Sequence, residues 1–321
     1  MNALEGLFAK RLNMNATPTE SNTWLRKRLI DEYPLQTPFE NKDLVQIITR
    51  KMESLYGNLD FIRNDSAYQA FCLPVSWQQQ TGPSCGISAM NMLCGSLNGS
   101  SKPLDTPPTL CSQCVKGKEI CEGDVEGSNA LRMAIELGVS SDGELFCAYN
   151  FSLVAKKALC LHLKVSEEWS IVQIVDELVS GSPVVVPYDR SLSDHRPGLF
   201  GGGKAHWCLI TGFISRVGSS QKPSSEIGES CDNESCIMNL SDKPSTISLI
   251  GEHKRNEFQE STLIDGDILL VCMHSMSRSP FLCSFQELVQ SNQQLFSSKS
   301  KFYMAPEGLN HLRGKFLIVN R

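Results

Sequence analysis

The order of hydrophobic patterns along the chain predicts an α+β fold, in which a helix that carries a reactive cysteine packs on a mainly antiparallel sheet. Helical periodicity dominates the first half of the sequence and strand-like apolar runs dominate the second half, an arrangement typical of the α+β class. The chain has 321 residues, of which 41% are hydrophobic, so it is long enough to bury a substantial core. We expect a flexible N-terminal arm over residues 1–38 and one domain over residues 39–321.

Four segments have the periodicity and end signals of helices. The predicted helix that follows Ser128 is capped by this residue and ends at Gly138. The predicted helix that begins at Ile171 has a Ser170–Gln173 capping box and ends at Gly181. The predicted helices begin after Asn41 or Asp43, at Cys85, after Ser128 and at Ile171.

Five later runs are rich in β-branched and aromatic residues and predict strands. Residues 215–262 interrupt them with serine, charge and little periodic hydrophobicity. Such a composition cannot bury enough apolar area to offset ordering entropy, so we expect a largely disordered insertion there. The predicted strands are Pro183–Asp189, Ala205–Ile214, Ile268–Met273, Phe302–Ala305 and Phe316–Val319.

Cys85 is the first candidate for chemistry. Gly82 and Pro83 interrupt regular structure, and helical spacing begins immediately afterwards. The positive end of the helix dipole favours an anion and lowers a thiol pKa from about 8.5 toward neutrality. The segment therefore predicts a nucleophilic thiolate, with a buried inert cysteine as the alternative.

His206 is the candidate base. It opens an apolar run that follows a glycine-rich loop, Gly201–Gly203, and it lies 121 residues after Cys85. A cysteine at a helix start and a histidine on a distant core strand are the two halves of a Cys/His pair. The other five histidines lack this loop-to-strand setting: His162, His195, His253, His274 and His311.

These residues resemble the papain-like thiol hydrolases and, more closely, the actin maturation protease family of cytosolic cysteine aminopeptidases. Blocks in the same order carry the resemblance over roughly residues 70 to 321. They are Gln80–Gly86, Gly143–Phe146, Val186–Asp189, Lys204–Trp207, Ser291–Leu295 and Tyr303–Gly308.

The resemblance implies a papain-like fold, a cytoplasmic location and removal of an acetylated N-terminal Met or Cys from immature actin without a cofactor. In that scheme Cys85 attacks the carbonyl, His206 protonates the leaving amine, and Gln80 helps the Cys85 backbone N–H to hold the oxyanion. Gln79 is the alternative to Gln80 as the oxyanion donor, and Gln78 is also near this position in the sequence. The implied partners are actin and, as a second candidate, profilin.

The sequence departs from the family where a residue that orients His206 is expected. An acidic stretch precedes the Ser-Asn-x-Gln-Leu segment in the family, whereas this chain has Leu282–Gln286, without a carboxylate. Ser284 and Glu287 instead predict a capping box of a short helix. Asp265, Asp267 or a backbone carbonyl are possible replacements.

Charge and hydropathy exclude other classes. The net charge of −5 argues against non-specific nucleic-acid binding, and no stretch approaches the ~18 to 20 apolar residues of a membrane span. The N-terminus has no apolar signal region, so the thirteen cysteines are expected to be reduced. An acidic actin N-terminus would favour a basic rim, for which the candidates are Arg190, His195, Arg196 and Lys204, with an ordinary solvated loop as the alternative.

Three other functions remain open. The same chemistry could serve another protein substrate or acyl transfer, or the chain could be a catalytically inactive actin- or profilin-binding module. A zinc-organised interaction protein is favoured least, because Cys111, Cys114 and Cys121 would need Cys231 or Cys236 as a fourth ligand. We expect an exposed reduced loop there and no metal.

Overall fold

The computed structural model describes residues 35–55, 68–97, 129–216, 247–249, 268–297 and 308–320. These ranges contain six helices and one sheet of eight strands. The helices are α1 (Asn41–Leu55), α2 (Cys85–Leu97), α3 (Asn129–Glu136), α4 (Ala148–Leu159), α5 (Ile171–Val179) and α6 (Phe285–Gln293). The strands are β1 (Tyr68–Cys72), β2 (Leu163–Ser166), β3 (Val184–Asp189), β4 (Ala205–Arg216), β5 (Ile247–Leu249), β6 (Ile268–His274), β7 (Ser277–Ser284) and β8 (Phe316–Val319).

The sheet is open and mostly antiparallel, which confirms the predicted α+β class. Its order is β2-β8-β3-β4-β1-β5, with β6 pairing β4 and β7 pairing β6. Only the pairing of β1 with β5 is parallel. The finer expectation of a papain-like fold is a proposal.

Strand β4 is the centre of the sheet because three strands pair with it. Its first half pairs with β3 and its second half with β1, whereas β6 runs along the opposite edge of both halves. The change of partner occurs at Gly212, where a Cβ atom would lie 2.2 Å from the carbonyl oxygen of Phe71. A side chain at this position would force the two strands apart.

The core lies on both faces of the sheet. Side chains of a strand alternate between faces, and neighbouring residues of β1, such as Ala70 and Phe71, belong to different apolar clusters. The larger cluster contains most of α2, and the smaller one contains Ile48 and Met52 of α1. Helix α2 therefore packs on one face of the sheet and α1 on the other.

The predicted helices and strands that lie in the described ranges are present. Ser170 caps α5 through the Gln173 N–H, and Ser284 with Glu287 forms the predicted reciprocal capping box of α6. Local sequence signals did not predict α4, β1, β2, β5 or β7. None of the described helices is long and apolar enough to cross a membrane.

Some predictions fall wholly or partly outside the described residues. The end of the predicted N-terminal arm is described, and Gln36 exchanges backbone hydrogen bonds of 2.7 and 3.0 Å with Trp77. Within the predicted insertion, residues 215 and 216 continue β4 and residues 247–249 form β5. The predicted strand Phe302–Ala305, the candidate orienting residues Asp265 and Asp267, and the cysteines of the zinc alternative all lie outside the described ranges.

Candidate active site

Helix α2 begins at Cys85, as the sequence predicts. The turn before it is closed by Ser84, whose hydroxyl donates to the Thr81 carbonyl at 2.8 Å and accepts the Thr81 N–H at 3.2 Å. A Cβ atom at Gly86 would lie 3.1 Å from Leu145 and 3.2 Å from the Trp207 ring. The helix start is therefore in tight contact with β4 and with the loop that precedes α4.

The Cys85 sulfur lies beside the residue that follows His206. It accepts a hydrogen bond from the backbone N–H of Trp207, and the N–H groups of Cys85 and Gly86 also point at it. Both Cys85 and His206 are buried. The fold therefore places the Cys85 sulfur against the backbone at the start of β4, the strand that carries His206.

The expectation of a thiol pKa lowered toward neutrality is wrong for this structure. Burial is the largest influence and raises the pKa of Cys85 to about 11, although the three N–H groups and the Arg190 guanidinium oppose it. Burial also lowers the pKa of His206 well below 6.5, and His274, Arg190 and His195 act in the same direction. The resting pair is therefore a neutral thiol and a neutral imidazole.

Asp189 organises the glycine-rich loop before His206. Its Oδ2 atom accepts the N–H groups of Phe200 and Gly202 at 2.7 and 2.9 Å, and its Oδ1 atom accepts the Lys204 N–H at 2.8 Å. The Gln294 amide also donates to Oδ2, at 2.9 Å. The carboxylate thus fixes the loop that positions His206, a role missed from the sequence although an acidic residue that ends a buried apolar strand could have indicated it.

The segment Ser291–Leu295 supports the same loop from α6. The Ser291 hydroxyl accepts the Asp189 N–H at 2.9 Å and lies 2.9 Å from the Gly198 carbonyl. Gln294 Oε1 accepts the Gly201 N–H at 2.6 Å. Blocks that are far apart in the sequence therefore meet around the loop that leads to His206.

The three neighbouring glutamines differ in their surroundings. The Gln80 side chain donates from Nε2 to the Gly82 carbonyl at 2.6 Å and accepts the Ser275 hydroxyl at 2.7 Å. Gln79 is exposed, whereas Gln78 is buried and accepts the Asn91 amide of α2 at 3.0 Å. Gln80 and Gln78 are the two whose described contacts tie them to the surroundings of Cys85.

Two histidines dismissed in the sequence analysis lie next to His206. The ring centroid of His274 is 5.6 Å from that of His206 and 4.7 Å from that of His195. His195 has a left-handed backbone (φ 63°), and its carbonyl accepts the Tyr188 hydroxyl at 2.9 Å. The missed signal is that a histidine closes the apolar run of β6 just as His206 opens that of β4.

Only part of the predicted basic rim carries unpaired charge. Arg196 forms an ion pair with Glu287 at 2.7 Å, and Arg190 donates to Nδ1 of His195 at 2.7 Å. Burial and Arg190 lower the pKa of His195, so this ring is mostly neutral at pH 7. Within the described ranges, Arg190 and the exposed Lys204 have no carboxylate partner.

Metal ligands are not assembled in the described part of the chain. No group of three or more His, Cys, Asp or Glu side chains there is arranged to hold an ion. None of the eight cysteines in these ranges forms a disulfide.

Comparison with known proteins agrees with the blocks around this site. A family model described as "Actin maturation protease-like, C-terminal domain" matches residues 75–214, which include Cys85 and His206. Actin maturation protease from Homo sapiens is 26% identical over 162 residues, which cover 49% of this chain and 40% of the relative. The protein of the same name from Mus musculus is 23% identical over 263 residues, covering 78% and 62%, and that from Drosophila melanogaster is 29% identical over 141 residues, covering 42% and 41%.

The match thus spans about two fifths of the length of the human relative. The relatives carry the name that also appears in the description of the family model, and that model matches the segment that contains the candidate site. No solved structure matches the chain significantly. Over residues 75–214 the chain resembles the actin maturation protease family.

Proposed function

We propose that this chain is a cysteine aminopeptidase that removes an N-acetylated Met or Cys from immature actin. The observation that supports the proposal is the contact of the Cys85 sulfur with the Trp207 N–H, by which a buried thiol at a helix start lies against the strand that carries the buried His206. The names of the relatives support actin as the substrate. We propose a cytoplasmic location and, as a second partner, profilin bound to actin.

The neutral resting pair determines how the nucleophile is generated. Because burial holds the pKa of Cys85 near 11 and that of His206 well below 6.5, little thiolate exists before substrate binds. The thiol proton passes to His206 as sulfur attacks the first peptide carbonyl. The imidazolium then gives this proton to the leaving amine, and water releases the acetylated residue from the thioester.

The oxyanion is held by the backbone N–H of Cys85 and the amide of Gln80. The Gln80 amide donates to the Gly82 carbonyl in the free protein, so substrate must displace this 2.6 Å contact before the amide can act. Its carbonyl end stays fixed by Ser275. The Cys/His chemistry, with this pair of donors, is that of the papain-like thiol hydrolases, and we propose a papain-like fold on the same grounds.

The surface beside the site fits a protein substrate with an acidic end. Three large apolar side chains of the loop before His206 are about half exposed or more: Leu192 at 63%, Leu199 at 66% and Phe200 at 49%. Arg190 and Lys204 supply the positive charge that would attract acidic residues after the scissile bond. Raising the salt concentration should therefore increase KM for such a peptide more than it changes kcat.

A direct experiment incubates the purified full chain with acetylated actin N-terminal peptides and immature actin, and follows the N-terminus by mass spectrometry. Cys85→Ala and His206→Ala should abolish release of the acetylated residue, and Gln80→Ala should lower kcat by ~10²- to 10³-fold. Cys94→Ala, on the same helix, is the matched control and should retain activity. Release by Cys85→Ala at the wild-type rate would overturn the proposal.

The choice of peptides also separates the proposal from its main rival. An N-terminal aminopeptidase for blocked ends should cut the acetylated actin peptide and leave unrelated acetylated peptides and internal bonds intact. Cleavage of many unrelated sequences would instead favour a broader thiol peptidase.

A further inference from the structure

His206 and His274 are brought together by the pairing of β4 with β6. Cys208 lies opposite His274 in this antiparallel pair, so the start of β4 and the end of β6 are at the same end of the sheet. The two imidazole planes make an angle of 72° with centroids 5.6 Å apart, an edge-to-face contact. The Tyr188 ring makes a second edge-to-face contact with His206, at 6.1 Å.

Each of the two imidazoles has one buried nitrogen without a hydrogen bond. Among the described residues neither Nε2 of His206 nor Nε2 of His274 has a partner. Buried polar atoms are nearly always paired, and exceptions concentrate at functional sites. The site thus holds His206 by ring contacts, and no described carboxylate hydrogen-bonds to it.

The tautomer of His274 follows from its other nitrogen. Nδ1 accepts the Met276 N–H at 3.2 Å, so the ring proton is on Nε2. Burial, and then the charges of His195, Arg190 and Lys51, lower the pKa of His274 to about 3. The ring is therefore neutral at pH 7, and it adds no charge that would stabilise an imidazolium at His206.

The turn that carries His274 also holds Gln80. The His274 carbonyl accepts the Trp77 indole N–H at 2.9 Å, and the Ser275 carbonyl accepts the Gln80 N–H at 3.1 Å. The Ser275 hydroxyl donates to the Gln80 side chain. The last residue of β6 and the turn after it therefore contact the base candidate and the oxyanion candidate, respectively.

We propose that His274 is the positioning residue for His206 and takes the place of the carboxylate that usually orients the base of a catalytic triad. The inference rests on the proposed Cys/His chemistry. It accounts for the absence of a carboxylate in Leu282–Gln286, since a neutral ring on the adjacent strand holds the imidazole in place.

The test uses His274→Asn, because the asparagine Oδ1 can accept the Met276 N–H as Nδ1 does and only the outer half of the ring is lost. The matched control is His162→Asn, which makes the same change at an exposed histidine. We expect kcat for the acetylated peptide to fall roughly 10²-fold with KM nearly unchanged, because misplacing a catalytic group has costs of this order. The rate of Cys85 alkylation by iodoacetamide, read by mass spectrometry of its peptide, should fall as well.

A second variant keeps the proposal testable if asparagine disturbs the turn. His274→Asp retains an acceptor for the Met276 N–H and places a carboxylate beside His206, which should favour the imidazolium. We expect the pH profile of Cys85 alkylation to move to lower pH in His274→Asp, a change that a merely structural role would not produce. A folded His274→Asp protein with the wild-type profile would overturn the proposal.

The two proposals fail in different ways. If the wild-type protein cleaves no acetylated peptide but Cys85 alkylation still depends on His274, the proposed function is wrong and the positioning role stands. If the wild-type protein cleaves the peptide and folded His274→Asn matches it in both kcat and alkylation rate, the positioning role is wrong.

Discussion

Replacing Asp189 by asparagine tests whether one buried carboxylate holds the loop before His206. Asp189 is fully buried and accepts four hydrogen bonds, three at Oδ2 and one at Oδ1. In Asp189→Asn the amide oxygen can keep the three donors at the Oδ2 position, and the NH₂ group then faces the Lys204 N–H. The three hydrogen bonds to the oxygen therefore lose their charged acceptor. At the fourth position two donors, the asparagine NH₂ and the Lys204 N–H, face each other.

The structure sets the size of the effect. A hydrogen bond to a charged group contributes about 1.5 to 3 kcal/mol and a neutral one about 0.5 to 1.5, so each of the three retained bonds weakens by about 1 kcal/mol. An unsatisfied buried donor adds at least about 1 kcal/mol. We therefore expect the free energy of unfolding to fall by about 4 kcal/mol, a large part of the 5 to 15 kcal/mol typical of a folded domain.

Urea unfolding of the full chain measures this loss, and peptide cleavage measures its consequence at His206. Activity should fall even in dilute buffer where Asp189→Asn is folded, because the loop amides are no longer fixed. Asp176→Asn makes the same change on the exposed side of α5 and should alter stability by less than about 0.5 kcal/mol. A loss below about 1 kcal/mol in Asp189→Asn, with normal activity, would refute the reasoning.

Three other changes have defined outcomes. Gly86→Ala places a Cβ 3.1 Å from Leu145, so it should cost ~1 to 3 kcal/mol and slow Cys85 alkylation, whereas Gly95→Ala on the same helix should not slow it. As the pH falls from 6.5 to about 3, the free energy of unfolding of the wild-type protein, measured by urea titration, should decrease more than that of His274→Asn. The reason is that the His274 imidazole binds a proton in the unfolded state, whereas its pKa near 3 keeps it unprotonated in the folded state; parallel curves for the two proteins would contradict this. As the pH rises from 9 to 11, the free energy of unfolding of the wild-type protein should fall by about 3 kcal/mol more than that of Cys85→Ala. The thiol has a pKa of about 11 in the folded state and 9.0 in the unfolded state, so the unfolded protein releases its proton first; an equal loss in both proteins would argue against a buried neutral thiol.

The sequence predicted the elements that have strong local signals. Helix α2 follows from the glycine and proline before Cys85, and the caps at Ser170 and Ser284 follow from the spacing of their partners. Strands β3, β4, β6 and β8 are continuous apolar runs. Each of these signals lies within about ten residues of sequence, which is why a single chain is enough to read it.

What the sequence missed depends on contacts between distant segments. Strand β7 begins with Ser277, Arg278 and Ser279, which are polar and become a strand only by pairing with β6. The proximity of His274 to His206 is likewise set by the register of β4 and β6. The raised pKa of Cys85 is a third case, because the helix start favours the thiolate while burial, which comes from the packing of the whole core, outweighs it.

Strand β6 also limits how the chain can be divided. The family model ends at residue 214, inside β4, and β6 pairs with β4 from Cys208 to Ser215. A fragment that ended there would contain both Cys85 and His206 but would expose a long apolar strand edge, the usual template for aggregation. Expressed alone, residues 75–214 should be recovered as insoluble or self-associated material, so the segment that the family model matches is smaller than the cooperative folding unit.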